Sequence, residues 1–277
     1  ERLPLVPWFS ENDEHDTIRY AAAPGNAAFG YQVEDFVDNR NLIAASAVHS
    51  EDLHIMEKAV EQCLVGVTPV VARMRILDST GQPAPLLLLM HGIFDRTEHM
   101  FGLAGMAFDL RYAPGYAGEG GVLSRRGSRT IWTHKAVRPQ QITAEWLVDL
   151  LPLSTFFAEN DAFFTERFNR GPIRRQLGYS SDELLHGRKV MVASLVHPED
   201  ADMIDEMFDQ TCGVASRGSL NRLRLMHANG RTVPVISFTH GAQVPDSKYK
   251  GIVGAMLDVG AVPALQGVFD YTAFDVV

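Results

Sequence analysis

The sequence predicts an α+β fold, and it predicts that fold twice. Three observations lead there: the chain repeats itself at a fixed spacing, each copy carries the same order of strand, helix and hairpin signals, and the composition is that of a globular protein. Leu3-Pro4-Leu5 recurs as Leu151-Pro152-Leu153, and Trp8-Phe9-Ser10-Glu11-Asn12-Asp13 as Phe156-Phe157-Ala158-Glu159-Asn160-Asp161. The second number exceeds the first by 148 each time. After one inserted residue near Thr211 the spacing becomes 149, relating Cys63 to Cys212, His91 to His240, Gly105 to Gly254 and Asp109 to Asp258. Solenoid units run to only about 20–50 residues, so these are two domains, each large enough for its own core. The expected organisation is a first domain over 1–112 and a linker over 113–142, Gly- and Arg-rich and then β-like. A second domain over 143–260 opens with an amphipathic helix, and an apolar tail over 261–277, with Phe269, Tyr271 and Phe274, docks on a domain.

Within one copy, an apolar strand at Pro4–Phe9 or Pro152–Phe157 ends in Glu-Asn-Asp, which has turn chemistry. A second strand follows near Thr17–Tyr20 or Phe164–Phe168. A helix is expected over 32–36 and 180–185, with Ser181 as cap and Asp182 and Glu183 in its first turn. His197-Pro198-Glu199-Asp200 places proline and acids at a helix start, and the helix runs to about Gln210. Met203, Ile204, Met207 and Phe208 share one of its faces, as Leu53, Met56, Ala59, Val60 and Cys63 do in the first copy. Three strands then form a meander, 70–77, 86–94 and 101–110, repeated as 220–226, 233–243 and 249–259, with Asn229-Gly230 as a hairpin turn. Strands, short helices and a meander make an antiparallel sheet of about five strands with helices on one face.

Composition narrows the function classes. The chain has 277 residues, 46% hydrophobic and 21% charged, and no run approaches the roughly 18 apolar residues that span a bilayer. A net charge of −9 argues against nucleic acid as a partner. Two cysteines make no disulfide framework and fit a reducing cytoplasm; as helix residues they read as small hydrophobes, with a redox sensor as the alternative. No phosphate-binding loop, nucleophile elbow, kinase signature or metalloprotease helix occurs, so no catalytic residue and no metal site is expected.

The landmarks resemble a PAS domain, present twice. They are Phe29-Gly30-Tyr31, Val48-His49-Ser50-Glu51-Asp52, Arg75-x5-Gly81 and Gly105-x3-Asp109, and then Leu177-Gly178-Tyr179, His197-Pro198-Glu199-Asp200, Arg224-x5-Gly230 and Gly254-x3-Asp258. The first copy departs by carrying Ser50 where the second has Pro198. The resemblance implies sensing of a small molecule or a signalling protein rather than catalysis, with any ligand between the sheet and the helix after His-x-Glu-Asp. The cysteine motif of flavin-type members is absent, and the second copy has no histidine on the long helix, so neither a flavin adduct nor haem is expected. The domain architecture, two such units with no output domain, also resembles actinobacterial, mycobacterial-type proteins built only of sensor domains. The chain begins at Glu1 and ends 19 residues after Asp258, so further sequence is expected upstream, and either an output domain lies elsewhere or the sensor stands alone.

Strand alternation nominates the lining of such a site. In the first copy it gives Met74 and Ile76, then Leu87, Leu89 and His91, with Met56 and Val60 from the helix. In the second it gives Leu223 and Leu225, then Ile236, Phe238 and His240, with Met203 and Met207. The alternative is that these side chains simply fill a core and the domains act as a ligand-free interaction scaffold. The second copy has the more polar meander and is the one expected to take a ligand with polar groups. Trp146 and Leu150, on the helix that Thr143 caps, pack either on their own domain or on a partner subunit in a homodimer.

Overall fold

The computed structural model describes residues 5–22, 27–66, 69–95, 97–112, 120–123, 142–212, 219–243 and 250–262. The chain divides into two compact units between Leu147 and Val148. In the first, β1 (Leu5–Glu11), β2 (Ile18–Ala21), the short pair β3 (Ala27–Ala28) and β4 (Tyr31–Gln32), α1 (Val33–Phe36), α2 (Ala44–Ala47) and α3 (Leu53–Leu64) precede the meander. The meander is β5 (Val70–Leu77), β6 (Pro83–Phe94) and β7 (Met100–Asp109), followed by β8 (Gly121–Val122). α4 (Ala144–Leu150) spans the division. The second unit holds β9 (Leu153–Glu159), β10 (Glu166–Arg170), α5 (Ile173–Leu177), α6 (Ser181–Leu184) and α7 (Ala201–Cys212), then β11 (Ser219–Met226), β12 (Thr232–Gln243) and β13 (Lys250–Asp258).

Both sheets are antiparallel and share one strand order. The first reads β2-β1-β7-β6-β5-β8 and the second β10-β9-β13-β12-β11. The α+β class and its duplication are therefore as expected. The sixth strand of the first sheet is a correction. Gly121 and Val122 fall in the stretch read as flexible linker, yet they pair with Arg73 and Ala72 on the edge of β5. An exposed edge strand leaves backbone groups unpaired, and even a two-residue strand satisfies some of them.

The repeat extends to single residues. Asp52 accepts from the backbone N–H of Arg75 at 2.7 Å and from its guanidinium Nε at 2.9 Å. Asp200 does the same with Arg224 at 2.7 and 3.0 Å. These contacts hold the start of each long helix on the first meander strand and pull both carboxyls below their ordinary value. His49 and His197 each accept a backbone N–H two residues on, at 3.4 and 3.3 Å, capping the turn that leads into the helix.

Gly105 and Gly254 recur because an aromatic ring lies over each. A methyl at Gly105 would meet the Trp8 ring at 2.8 Å and the Leu89 carbonyl oxygen; at Gly254 it would meet the Phe156 ring at 2.5 Å and the Phe238 carbonyl oxygen at 2.8 Å. Gly81 and Gly230 take φ of 79° and 86° in equivalent hairpin turns, a region that glycine enters without strain.

Several element boundaries differ from expectation, and three have a clear local cause. β10 begins at Glu166, because Phe164 takes φ of 49° in the preceding turn and its N–H bonds back to the Asp161 carbonyl. Ser180, not Ser181, precedes α6: its N–H and hydroxyl both donate to Glu183 at 2.9 Å, bringing that carboxyl down to about 2. α7 starts at Ala201, after a tight turn over Pro198–Asp200. The β-like part of the linker and the tail beyond Val262 lie outside the described residues.

Candidate functional site

The inward face of each sheet, opposite its long helix, is where the resemblance put a ligand. In the first domain a cavity of about 140 Å³ lies there, bounded by β1, β2, α1, α2, α3, β5, β6 and β7. Met56 and Val60 reach it from α3 and Met74 and Ile76 from β5. β6 contributes Leu86, Leu88 and Met90. Leu87, Leu89 and His91, expected on this face, lie on the opposite one, where all three are buried. From Leu86 to Phe94 every residue of β6 is buried, so the strand has no polar side from which its inner face could be read.

In the second domain the cavity is about 50 Å³. Leu223, Leu225 and Met207 line it; Ile236, Phe238 and His240 again take the opposite face, and β12 offers Ser237 instead. Met203 is half-buried and does not line it, whereas Ile204 and Phe208 do. At a spacing of 148 the helix equivalents of Met56 and Val60 are Ile204 and Phe208, one residue beyond the pair expected.

The volume difference has a local cause. Asp16 and Val60 of the first domain correspond to Phe164 and Phe208 of the second, which stack at 4.2 Å between centroids and 19° between planes. That pair occupies space that the first domain leaves to its cavity.

The polar groups differ as well. Ser10 and Asp16 border the first cavity. Burial and the nearby Asp13 push the Asp16 carboxyl up. Glu166 and Ser237 border the second. Glu166 is 4% exposed, accepts from Asn169 Nδ2 at 2.8 Å, and is pushed by burial up to about 7. Sequence reasoning missed all four. The signal existed in the repeat, where Ala158 stands for Ser10 and Glu166 for Ile18.

Cys63 is fully buried and its thiol is pushed up to about 12, so it is a core residue rather than a reactive thiolate. Among the described residues, no group of three or more His, Cys, Asp or Glu side chains is placed to hold a metal. Flavin or haem does not fit a cavity of about 140 Å³, since sites for drug-sized ligands run to about 300–1,000 Å³. Thr143 Oγ1 accepts the Trp146 N–H at 3.2 Å, and the Trp146 ring meets Phe9 edge-on at 6.0 Å within the first unit. Leu150 is buried. Among the described residues no helix is long and apolar enough to cross a membrane.

No family model matches the chain, and no curated protein does. Among solved structures, an RNA-binding light-oxygen-voltage receptor is similar at 10% identity and a TM-score of 0.34, over 97% of this chain and 99% of that one. The PAS domain of a protein from Colwellia psychrerythraea is similar at 15% identity and 0.33, over 40% of this chain and 89% of that one. The N-terminal domain of a diguanylate cyclase with PAS/PAC sensor from Marinobacter aquaeolei is similar at 18% and 0.31, over 40% and 98%. The fold assignment rests on the chain itself: two antiparallel sheets of one strand order, each with the Asp–Arg pair and glycine landmarks in the expected places. The protein is one α+β unit built twice, each copy an antiparallel sheet with short helices.

Proposed function

We propose that this protein is a non-catalytic sensory module whose first PAS-like domain takes up a small apolar molecule between its sheet and α3. The observation that supports this is the cavity of about 140 Å³, close to the roughly 150 Å³ apolar cavity known to admit benzene or xenon. Its counterpart in the second domain is largely filled by Phe164 and Phe208, which favours a scaffold or interaction role for that copy.

A ligand that binds one conformation better shifts the population toward it. Here α3 carries two cavity residues, Met56 and Val60, and its Ile55 lies against Gly120 beside β8. A ligand pressing on α3 therefore acts on the segment between the domains, with no chemistry required.

Benzene and xenon test the reading. Benzene at about 100 times its Kd should stabilise the protein by about 2.7 kcal/mol, seen as a raised Tm. Val60→Phe, which copies the second domain, should abolish the rise. No shift with benzene and no xenon density in pressurised crystals would overturn the proposal.

A further inference from the structure

The first cavity holds one feature that an apolar ligand alone does not explain. Ser10 sits on β1, paired to β2 on one side and β7 on the other, and its side chain shares the cavity face with Trp8. It is 1% exposed, and its hydroxyl has no hydrogen-bond partner among the described residues. Buried hydroxyls are nearly always bonded, because leaving one unpaired forfeits its hydration for nothing. The same position in the second domain is Ala158, so the fold accepts a methyl there and does not need the hydroxyl.

We propose that Ser10 is the polar anchor of this cavity, and that its ligand is a small, neutral, mostly apolar molecule carrying a single hydrogen-bonding group. The inference rests on the first cavity being a ligand site and adds what the ligand must bear. A serine hydroxyl both donates and accepts, so a hydroxyl or a carbonyl on the ligand would satisfy it. The volume limits the molecule to about the size of one six-membered ring with a substituent. An anion is disfavoured because, among the described residues, the lining offers no cationic side chain to offset its desolvation. Apart from Ser10 and Asp16 the lining is hydrocarbon, sulfur and aromatic ring, so a second polar group placed away from Asp16 would be buried without a partner.

Benzene and phenol differ by one hydroxyl and make the test on the full chain. Calorimetric titration of wild type and Ser10→Ala should show phenol weakened about tenfold by the substitution, the worth of one buried hydrogen bond. Benzene should change by no more than about twofold. Without ligand, Ser10→Ala should melt at or above the wild-type temperature, because it removes an unpaired hydroxyl. Equal effects on both probes, an unchanged phenol affinity, or a lowered Tm of the free variant would overturn the anchor while leaving the cavity reading intact. If wild type binds neither probe, the cavity reading falls and the anchor falls with it.

Discussion

Glu166 should make the second domain less stable as pH rises through neutrality. Its carboxyl is 4% exposed, bonded by Asn169 Nδ2 at 2.8 Å, and raised by burial from an ordinary 4.5 to about 7. The raised value sets the sign. Between 4.5 and 7 the folded chain keeps the proton and the unfolded chain has lost it, so folded protein binds more protons and stability falls with pH. The contribution is whole below 4.5 and gone above 7. At about 1.4 kcal/mol per pH unit over that window, the loss is about 3 kcal/mol. Glu166→Gln keeps the shape and stays neutral at every pH. Urea unfolding of both proteins from pH 4.5 to 8, followed by far-UV circular dichroism, should show Glu166→Gln gaining about 3 kcal/mol on wild type across the range. Curves that stay parallel would refute the reasoning, as would a Glu166 carboxyl carbon titrating near 4.5 by NMR. Asp52 and Asp200 have the opposite sign: their lowered values give stability that is lost only below about pH 4, outside this window.

Three further outcomes follow from side-chain packing. Arg224→Ala leaves the buried Asp200 carboxylate with its backbone N–H bond but no cation, and should cost about 3 kcal/mol, whereas Arg75→Ala should cost less, since the Arg75 side chain is 41% exposed against 13% for Arg224; urea midpoints of the two variants compare them. Gly254→Ala drives a methyl toward the Phe156 ring and the Phe238 carbonyl and should destabilise by about 1–3 kcal/mol, read as a lowered Tm. Trp146→Ala removes the edge-on contact with Phe9 and should lower stability by at least about 1 kcal/mol without changing the sedimentation coefficient; a change in oligomeric state would instead assign Trp146 to a subunit interface.

Much of the fold was legible in the sequence, because its signals are local. Acids at a helix start and glycine in the first hairpin of the meander act through near neighbours and occur in both copies, and Pro198 and Asn229-Gly230 add to them in the second. The candidate site was half legible. Met56, Val60, Met74 and Ile76 stand where the pattern put them, as do Leu223, Leu225 and Met207. Leu87, Leu89 and His91, with Ile236, Phe238 and His240, do not, because alternation names a face only when the other face is wet.

The sequence by itself determined that one α+β unit is built twice, since the spacing of 148 and then 149 carries every landmark with it. Only the tertiary structure decided which face of β6 and β12 looks inward, and that one cavity is open while its twin is nearly filled. Both depend on side chains far apart in the chain meeting across the core: Phe164 reaches Phe208 in the second domain, and in the first Asp16 and Val60 leave that space unfilled.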